Sequence, residues 1–567
     1  MIGILLFWLA FSPVQPVPGN PAAQRQEQLH RQKDSSAGPE KRVLSNPVAE
    51  NLRCHFDRLL QEKGPAYGIE RQSFVRQLAR FYAARGYQPV WTNRTMVADL
   101  ISAVEESAND GLDPSDYHIR EIRGFYGRPP ATPDLQARYD LLMSDAFITL
   151  ASHLRYGKVD PGSLDPNWNL GNTVSRSALE YRLQNALAAG RIAAVLQELR
   201  PQHPEYDRLR KGLARYRLIS REGGWKALNE GASFKEGLRD SRVPLLRQRL
   251  EASGDLALLK RDSSTVYTRE MANAVKRFQK RNGMDVDGVV GAATLRVMNI
   301  QVEQRIDQLR INLERYRWFF SDLGPTYIMV NIADFTLKYV ENGSQRWNTR
   351  VIVGKPYRET PVFKADMQYV VFNPQWVIPP TILDKDALPA IRKSISYLDH
   401  KKLKVLDRDG KVVDPASVSW SLYSAANLPY RLQQTAGDHG SLGRVKFMLP
   451  NEHIVYLHDT PTKDLFEKST RTFSSGCIRV ENPLDLAGMV LQDSVKWSGE
   501  RIRAAVNTGK TITAFLPKRI PVFILYMTAI ANGDEILFRD DVYNRDNAVL
   551  KALDKPVPAY KTQSCGL

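Results

Sequence analysis

Cys477 and His458 are the residues of this sequence best suited by type and spacing to nucleophilic chemistry. Among 567 residues there are 3 cysteines, and Cys54 and Cys565 lie near the two ends of the chain. Cys477 instead follows Ser-Ser-Gly, and a glycine beside a cysteine lets backbone N–H groups approach a bound carbonyl, as an oxyanion hole requires. A thiol becomes a good nucleophile once it loses its proton, and His458 could accept that proton.

Two other interpretations of Cys477 remain open from residue types alone. A lone cysteine is often a small buried apolar residue, and a Cys/His zinc site needs three or four ligands. Only His439, His453 and His458 are near Cys477 in sequence, and no Cys-x-x-Cys pair accompanies them. We therefore expect no metal site.

The residues around this pair resemble a known active-site signature. The string Y-L-H-D-T-P, followed after a spacer by S-S-G-C-I-R-V, is similar to the signature of the L,D-transpeptidases with a YkuD-type catalytic domain. The resemblance extends over roughly residues 325 to 545 and more loosely upstream. It points to the large multidomain YcbB-type subgroup, which carries a peptidoglycan-binding module.

This resemblance implies a role for each residue of the signature. Cys477 would be the acylated nucleophile and His458 the base, while the N–H groups of Gly476 and Cys477 would form the oxyanion hole. Ser475 and Arg479 would support the site. Arg479 lies two residues after Cys477 and would share its face on a strand, so its cation could hold a substrate carboxylate or favour the thiolate.

The implied activity is 3→3 cross-linking of peptidoglycan. The enzyme would take a tetrapeptide stem as donor, release D-alanine through a cysteine acyl-enzyme, and pass the acyl group to a neighbouring stem. It would thereby contribute to cell-wall organisation and cell shape. The alternatives are a non-catalytic peptidoglycan-binding protein and an L,D-carboxypeptidase of the same fold. We expect no cofactor, and stem peptides and other wall-synthesis proteins as partners.

Three further residues bear on this site. Tyr456 lies two residues before His458, so it should share a strand face with His458 and line the pocket. Trp376 could wall the pocket or pack in the core. Asp459 follows His458 and should point to the opposite face, so a backbone carbonyl is the expected partner of the imidazole.

The composition fits a multidomain globular protein with an anionic partner. The hydrophobic fraction of 43% argues against disorder, and the length exceeds what one core supports. The formal charge of +17 raises nucleic acid as a partner, but no nucleic-acid-binding motif is present. The basic residues are scattered along the chain and indicate a solvated surface unless the substrate is acidic, and a cell-wall polymer with its many carboxylates would be such a substrate.

The beginning of the chain predicts export to the periplasm. The apolar run from Ile2 to Phe11 is shorter than a membrane span and is typical of a signal peptide. An uncleaved inner-membrane anchor is the alternative. Cys54 and Cys565 could pair in an oxidising compartment, although nothing in the sequence shows that they meet.

We expect a multidomain α+β fold. A helical scaffold and a three-helix peptidoglycan-binding module should precede a mostly β catalytic domain with a lid insertion. The predicted divisions are a signal peptide or anchor (1–19), a flexible linker (20–50), the helical scaffold (51–239), the peptidoglycan-binding module (240–300), a linking helix (301–324), the catalytic domain (325–545, insertion 377–442) and a tail (546–567).

Local patterns support several elements. Thr95 is predicted to cap a helix that ends at Asn109-Asp110-Gly111. Asn342-Gly343 predicts a hairpin between a strand over Ile328 to Val340 and one over Arg350 to Val353. A calcium loop around 285–291 is an alternative to a turn, but it lacks the spaced ligands that end in Glu. The long insertion is predicted to be a lid that excludes water, with a surface excursion as the alternative.

Overall fold

The computed structural model describes residues 46–61, 68–166, 168–170, 179–257, 263–320, 323–558 and 565. The predicted signal peptide or anchor and most of the predicted linker therefore lie outside the described residues. Among those described, none of the helices combines the length and the apolar character needed to span a bilayer.

The N-terminal half is helical, as predicted. Its first part packs into one apolar core around α5, a 24-residue helix that is buried along most of its length. The helices are α1 (Pro47–Gln61), α2 (Gly68–Ala83), α3 (Arg94–Glu106), α4 (Ile119–Gly127), α5 (Pro133–Tyr156), α6 (Leu179–Ala189), α7 (Ile192–Leu199) and α8 (Pro204–Arg221).

A second, smaller core follows in the chain. Three helices, α9 (Val243–Ser253), α10 (Arg269–Arg281) and α11 (Ala292–Met298), pack around buried side chains that include Leu246 and Phe278. Thr268 caps α10, because its hydroxyl accepts a hydrogen bond from the Met271 N–H. The helix count matches the three-helix module that the sequence predicts.

Helix α12 (Val302–Phe319) joins these helical parts to the sheet. Its Arg317 and Glu314 side chains are fully buried and paired with each other. Arg317 Nη1 also donates to the backbone oxygen of Asp110 at 2.7 Å and to the Tyr206 hydroxyl at 2.9 Å. The linking helix is thus fixed to the scaffold by buried polar contacts.

The C-terminal half is built on one large sheet. The strands are β1 (Tyr327–Asn331), β2 (Thr336–Glu341), β3 (Ser344–Gly354), β4 (Phe363–Phe372), β8 (Val445–Met448), β9 (Leu457–His458), β10 (Thr472–Ser474), β11 (Ile478–Val480) and β12 (Ile512–Leu525). Their order is β10-β3-β11-β9-β8-β4-β12-β1-β2, and β3 also pairs with β2, so the strands from β3 to β2 close on themselves while β10 lies outside that closure. Helices α16 (Pro483–Leu491) and α17 (Gly499–Asn507) follow β11.

The insertion folds as a unit with its own apolar core, which includes Leu388, Trp420 and Leu432. It consists of a three-stranded sheet in the order β5-β7-β6 and several short helices. These elements are β5 (Trp376–Val377), α13 (Pro380–Ile382), a π-helical turn (Leu383–Ala387), α14 (Leu388–Lys393), α15 (Ser396–His400), β6 (Leu403–Leu406) and β7 (Arg431–Gln434).

The end of the chain returns to the scaffold. After the hairpin of β13 (Ala529–Asn532) and β14 (Glu535–Phe538), helix α18 (Asp546–Leu553) packs against Trp318 of α12. A disulfide joins Cys54 of α1 to Cys565. Cys477 is therefore the free cysteine.

Several predicted strand limits were wrong. The run from 328 to 340 forms two antiparallel strands, β1 and β2, rather than one. The sequence also predicts a strand over Ile454 to Leu457. The strand β9 contains only Leu457 and His458, because Ile454 has a positive φ of 55°. The sequence also predicts a closing hairpin of Val522 to Ala529 and Ile536 to Phe538, joined at Asn532-Gly533-Asp534. The turn and the strand over Ile536 to Phe538 are confirmed, but Val522 belongs to β12 in the main sheet.

Candidate active site

Three adjacent strands place charged and titratable side chains in one row. His458 on β9 lies opposite Arg479 on the parallel strand β11 and opposite Lys446 on the antiparallel strand β8. Residues in one row of a sheet project from the same face. His458 therefore stands between two cations, with neighbouring strands about 4.8 Å apart.

Cys477 lies in the bend that enters β11. Gly476 has a φ of 113°, which a residue with a side chain rarely adopts. The Ser474 hydroxyl holds the bend, since it donates to the Cys477 carbonyl at 2.5 Å and accepts from the Gly476 N–H at 3.1 Å. The predicted oxyanion donor at Gly476 is thus already engaged, and the Cys477 N–H is the donor without a hydrogen-bond partner among the described residues.

His458 is held as a neutral base. It is 5% exposed, and its Nδ1 lies 2.5 Å from the backbone oxygen of Asp459. A carbonyl only accepts, so Nδ1 carries the proton and Nε2 has the free lone pair. Burial, together with the charge of Arg479, lowers the pKa of His458 to about 3. The imidazole is therefore uncharged at neutral pH, and Nε2 is the ring atom that can accept a hydrogen bond.

The Asp459 carboxylate faces away from the imidazole, as predicted. It accepts a hydrogen bond from the Arg444 N–H at 2.8 Å and pairs with the Lys463 ammonium. The prediction that a backbone carbonyl orients His458 is confirmed.

The Cys477 thiol is partly exposed and points towards the turn before β9. Its Sγ lies 3.9 Å from the backbone oxygen of Ile454. Ile454 has a positive φ, which strains a β-branched residue. No hydrogen bond joins Cys477 to His458 in the described part of the chain.

Burial raises the pKa of the Cys477 thiol, while Tyr456, Lys446 and Arg479 oppose that rise. The free protein therefore holds a thiol at neutral pH.

Tyr456 and Trp376 lie beside the thiol. The Tyr456 ring contacts the His458 ring edge-on at 5.7 Å between centroids, so the two share a face as predicted. The Tyr456 hydroxyl interacts with both the Trp376 indole and the Cys477 thiol. Trp376 also packs against the cores of the sheet and of the insertion. The predicted core packing of Trp376 is confirmed, and its position at the wall of a substrate pocket stays a prediction.

Lys446 was not identified from the sequence. Its ammonium lies 3.7 Å from the centre of the Tyr456 ring, a cation–π contact. Alternation along Val445–Met448 indicates that Lys446 faces away from buried Val445 and Phe447. The sequence does not say which strand lies beside it, and that pairing is what brings it to the site.

A buried hydrogen-bond network supports the bend from below. The Thr360 hydroxyl donates to the Gly476 carbonyl at 2.8 Å and accepts from the Gly354 N–H at 2.9 Å. The Tyr543 hydroxyl donates to the Gly354 carbonyl at 2.6 Å and accepts from the Thr360 N–H at 3.2 Å. Neither Thr360 nor Tyr543 was singled out from the sequence.

Ser475 is the exposed residue of the bend. Its hydroxyl accepts a hydrogen bond from Arg358 at 3.2 Å, and Arg358 forms an ion pair with Asp386 of the insertion. Asp386 of the insertion is thus linked to the bend through Arg358, and Trp376 at the start of the insertion interacts with the Tyr456 hydroxyl.

Comparison with known proteins identifies three domains in the chain. Residues 325–513 match the YkuD family, described as "L,D-transpeptidase catalytic domain". Residues 76–213 match the family described as "Scaffold domain", and residues 239–298 match "Putative peptidoglycan binding domain".

A Haemophilus influenzae protein named "Putative L,D-transpeptidase" is 37% identical over 222 residues, which are 39% of this chain and 45% of that protein. This chain thus matches about half the length of that relative. Two solved L,D-transpeptidase structures also match. The one from Stackebrandtia nassauensis is 14% identical with a TM-score of 0.20, and it covers 53% of this chain and 96% of its own. The one from Xylanimonas cellulosilytica is 16% identical with a TM-score of 0.17, and the match covers 52% of this chain and 99% of that structure's chain.

Cys477 and His458 both lie within the matched residues 325–513. The chain therefore carries an L,D-transpeptidase catalytic domain of the YkuD family, combined with a scaffold domain and a peptidoglycan-binding domain.

Proposed function

We propose that this protein forms 3→3 cross-links in peptidoglycan through an acyl-enzyme on Cys477. The observation that carries the proposal is the placement of a free cysteine at the entry to β11, next to the strand β9 that carries a neutral histidine. The Nδ1 hydrogen bond of His458 leaves Nε2 ready to accept a proton. The family match of this domain favours a peptidoglycan stem as the substrate.

The first half of the reaction forms a thioester. Sγ of Cys477 attacks the carbonyl at the L-centre of the third residue of a tetrapeptide stem, and its proton passes to His458 Nε2. The Cys477 N–H stabilises the oxyanion of the tetrahedral intermediate. The intermediate collapses with cleavage of the C–N bond, and His458 returns the proton to the departing amine of D-alanine.

The second half transfers the acyl group. An amine of a neighbouring stem attacks the thioester, the C–S bond breaks, and a proton of the attacking amine returns to the thiol through His458. Attack by water instead would give L,D-carboxypeptidase activity. The insertion would act as a lid that limits access of water, since its Asp386 pairs with Arg358, which contacts Ser475 of the bend.

The other domains would place the enzyme on its substrate. The three-helix module would bind the wall polymer, and the scaffold would hold that module and the catalytic domain together through α12. We propose a periplasmic location after export by the N-terminal segment, either cleaved or kept as a membrane anchor. We also propose the domain limits that the sequence predicts, with the scaffold over 51–239, the peptidoglycan-binding module over 240–300 and the catalytic domain over 325–545.

Product analysis with purified tetrapeptide fragments tests this function. We expect free D-alanine and 3→3 dimers, separated by liquid chromatography and identified by fragmentation in the mass spectrometer. D-alanine release without dimers would contradict transfer and indicate a carboxypeptidase. Absence of both products, with binding to peptidoglycan retained, would indicate a non-catalytic wall-binding protein.

A further inference from the structure

A loop on the side of Cys477 away from His458 presents an exposed tyrosine. Strand β11 lies between β9, which carries His458, and β3, which pairs with the other edge of β11. The chain leaves β3 at Gly354 and forms a loop over residues 355–359, which we call the rim loop. Cys477 therefore has the proposed base on one flank and the rim loop on the other.

The rim loop lies directly against the bend that enters β11. The Lys355 N–H donates to the Ser474 carbonyl at 3.0 Å. A Cβ atom placed on Gly476 would lie 3.6 Å from the carbonyl oxygen of Glu359 and 3.9 Å from that of Arg358. Because these are van der Waals distances, a molecule bound on the rim loop would lie beside the reacting sulfur.

The backbone of the rim loop is fixed without a ligand. A Cβ atom on Gly354 would lie 2.1 Å from the carbonyl oxygen of Arg358, so the two ends of the loop approach this closely only with glycine. The Arg358 N–H donates to the Lys355 carbonyl at 2.8 Å, which closes a turn. The Arg358 guanidinium forms two hydrogen bonds to the Asp386 carboxylate, at 2.5 and 2.7 Å. The loop is thus preorganised, which lowers the entropic cost of binding.

Tyr357 and Lys355 are the side chains of the rim loop that are available to a ligand. Tyr357 is 72% exposed, and the centre of its ring lies 5.6 Å from the Lys355 ammonium. Lys355 forms no ion pair with any residue that the structure describes, whereas Arg358 is already paired with Asp386. An exposed ring beside an unpaired ammonium suits a ligand that combines an aliphatic chain with a carboxylate.

The proposed reaction needs such a ligand beside Cys477. After D-alanine leaves, an amine of a neighbouring stem must reach the thioester and give up a proton through His458. A 3→3 link joins two third residues, whose α-amino groups are already in peptide bonds, so the attacking amine is on a side chain. An aliphatic chain therefore arrives with the amine, and the stem also carries carboxylates.

We propose that the rim loop is the binding site for the acceptor stem. Tyr357 packs against the aliphatic part of the side chain that carries the attacking amine, and Lys355 pairs with a carboxylate of the same stem. The amine is thereby held over the thioester, so that transfer competes with attack by water. This inference rests on the proposed function and adds the place where its second substrate binds.

The test measures how the acyl-enzyme divides between transfer and hydrolysis. The full-length protein receives a tetrapeptide donor labelled with heavy isotopes and, as acceptor, an unlabelled tripeptide stem, which has the side-chain amine but no fourth residue to release. Mass spectrometry then gives the ratio of mixed dimer to labelled hydrolysed donor. Both products come from one acyl-enzyme, so their ratio cancels any change in the rate of acylation.

Two variants remove the proposed contacts one at a time. Tyr357→Ala removes the ring, and Lys355→Met removes the charge while keeping the length of the side chain. At an acceptor concentration below saturation we expect each to lower the ratio of dimer to hydrolysed donor about three- to tenfold. Tyr357→Phe and Lys355→Arg should retain most of the wild-type ratio, because they keep the ring and the charge.

Tyr181→Ala provides a matched control. Tyr181 is also a surface tyrosine, 60% exposed, but it lies on α6 of the scaffold. This variant should keep the wild-type ratio.

Two results would overturn the acceptor site. One is an unchanged ratio in both Tyr357→Ala and Lys355→Met. The other is an equal loss in Tyr357→Phe and Lys355→Arg, which would assign the two residues to the shape of the loop. If the wild-type protein forms hydrolysed donor without dimer, or neither product, the proposed transfer itself fails and the acceptor site fails with it.

Discussion

Buried cations in the scaffold differ from those beside Cys477 in what they contact. Arg71 is buried and forms two hydrogen bonds to the Asp145 carboxylate, at 2.6 and 2.8 Å, and Arg200 is buried beside the Asp110 carboxylate. Lys446 and Arg479 contact an aromatic ring and a hydroxyl instead. The paired cations stabilise a fold, whereas cations that lack a counter-ion are suited to bind one from a substrate.

The largest effect should come from the residue between the two site cations. His458→Gln removes the proton acceptor, so we expect acylation of Cys477 to slow about 10²- to 10⁴-fold. The rate of adduct formation with a tetrapeptide donor measures this. A variant that reacts within about threefold of the wild type would show that another group takes the thiol proton.

The scaffold side of the comparison predicts a loss of stability. Arg71→Met would leave the buried Asp145 carboxylate without its guanidinium partner, and we expect a loss of about 3–5 kcal/mol in unfolding free energy. Urea denaturation followed by circular dichroism measures it. Protein that remains folded should form the Cys477 adduct at the wild-type rate.

The same measurement on Lys446→Met gives the opposite expectation. This substitution removes a half-buried charge without separating an ion pair, so unfolding free energy should change by no more than about 1 kcal/mol. A loss as large as that of Arg71→Met would contradict the distinction between the two sets of cations.

A smaller effect on the rate of acylation is expected from the hydrogen-bond network that holds the Gly476 carbonyl. Thr360→Val keeps the shape of the side chain but removes the hydroxyl that joins the Gly476 carbonyl to the Gly354 N–H. We expect the maximal rate of acylation to fall about tenfold, with little change in the donor concentration at half-maximal rate, and Thr360→Ser to restore it. If the maximal rate fell and the donor concentration at half-maximal rate rose by similar factors, without rescue by Thr360→Ser, Thr360 would only support the fold.

The smallest expected effect is on the titration of Cys477. Because burial raises its pKa, alkylation by iodoacetamide should continue to accelerate above the pH at which an ordinary cysteine has fully ionised. Lys446 opposes this rise, so Lys446→Met should move the midpoint to still higher pH. A midpoint below that of free cysteine would contradict the arrangement described for the thiol.

Much of the architecture was predictable because it depends on short-range patterns. Helical spacing of apolar residues predicted α12, and Asn342-Gly343 predicted the turn between β2 and β3. Local patterns still misplace helix starts. Thr95 was the predicted cap of α3, but Asn93 caps it by accepting from the Thr95 and Met96 N–H groups. Both residue types favour this position, and sequence alone does not rank two candidates so close together.

The site was predictable only where its residues are close in sequence. His458 and Arg479 lie on two neighbouring strands, with Tyr456 and Cys477 just before them, and a spacing of two residues predicted a common face for each pair. Lys446, Thr360 and Tyr543 reach the site through strand pairing and long-range packing, which leave no local pattern. The disulfide between Cys54 and Cys565 likewise depends on the fold that brings the two ends together.

The most direct measurement is the mass of the protein after exposure to a tetrapeptide donor. We expect the wild-type protein to gain the mass of the stem minus D-alanine, and peptide mapping to place this mass on Cys477. Cys477→Ser should show no adduct and form no 3→3 dimers. An adduct on another residue, or dimers formed by Cys477→Ser at the wild-type rate, would contradict the account.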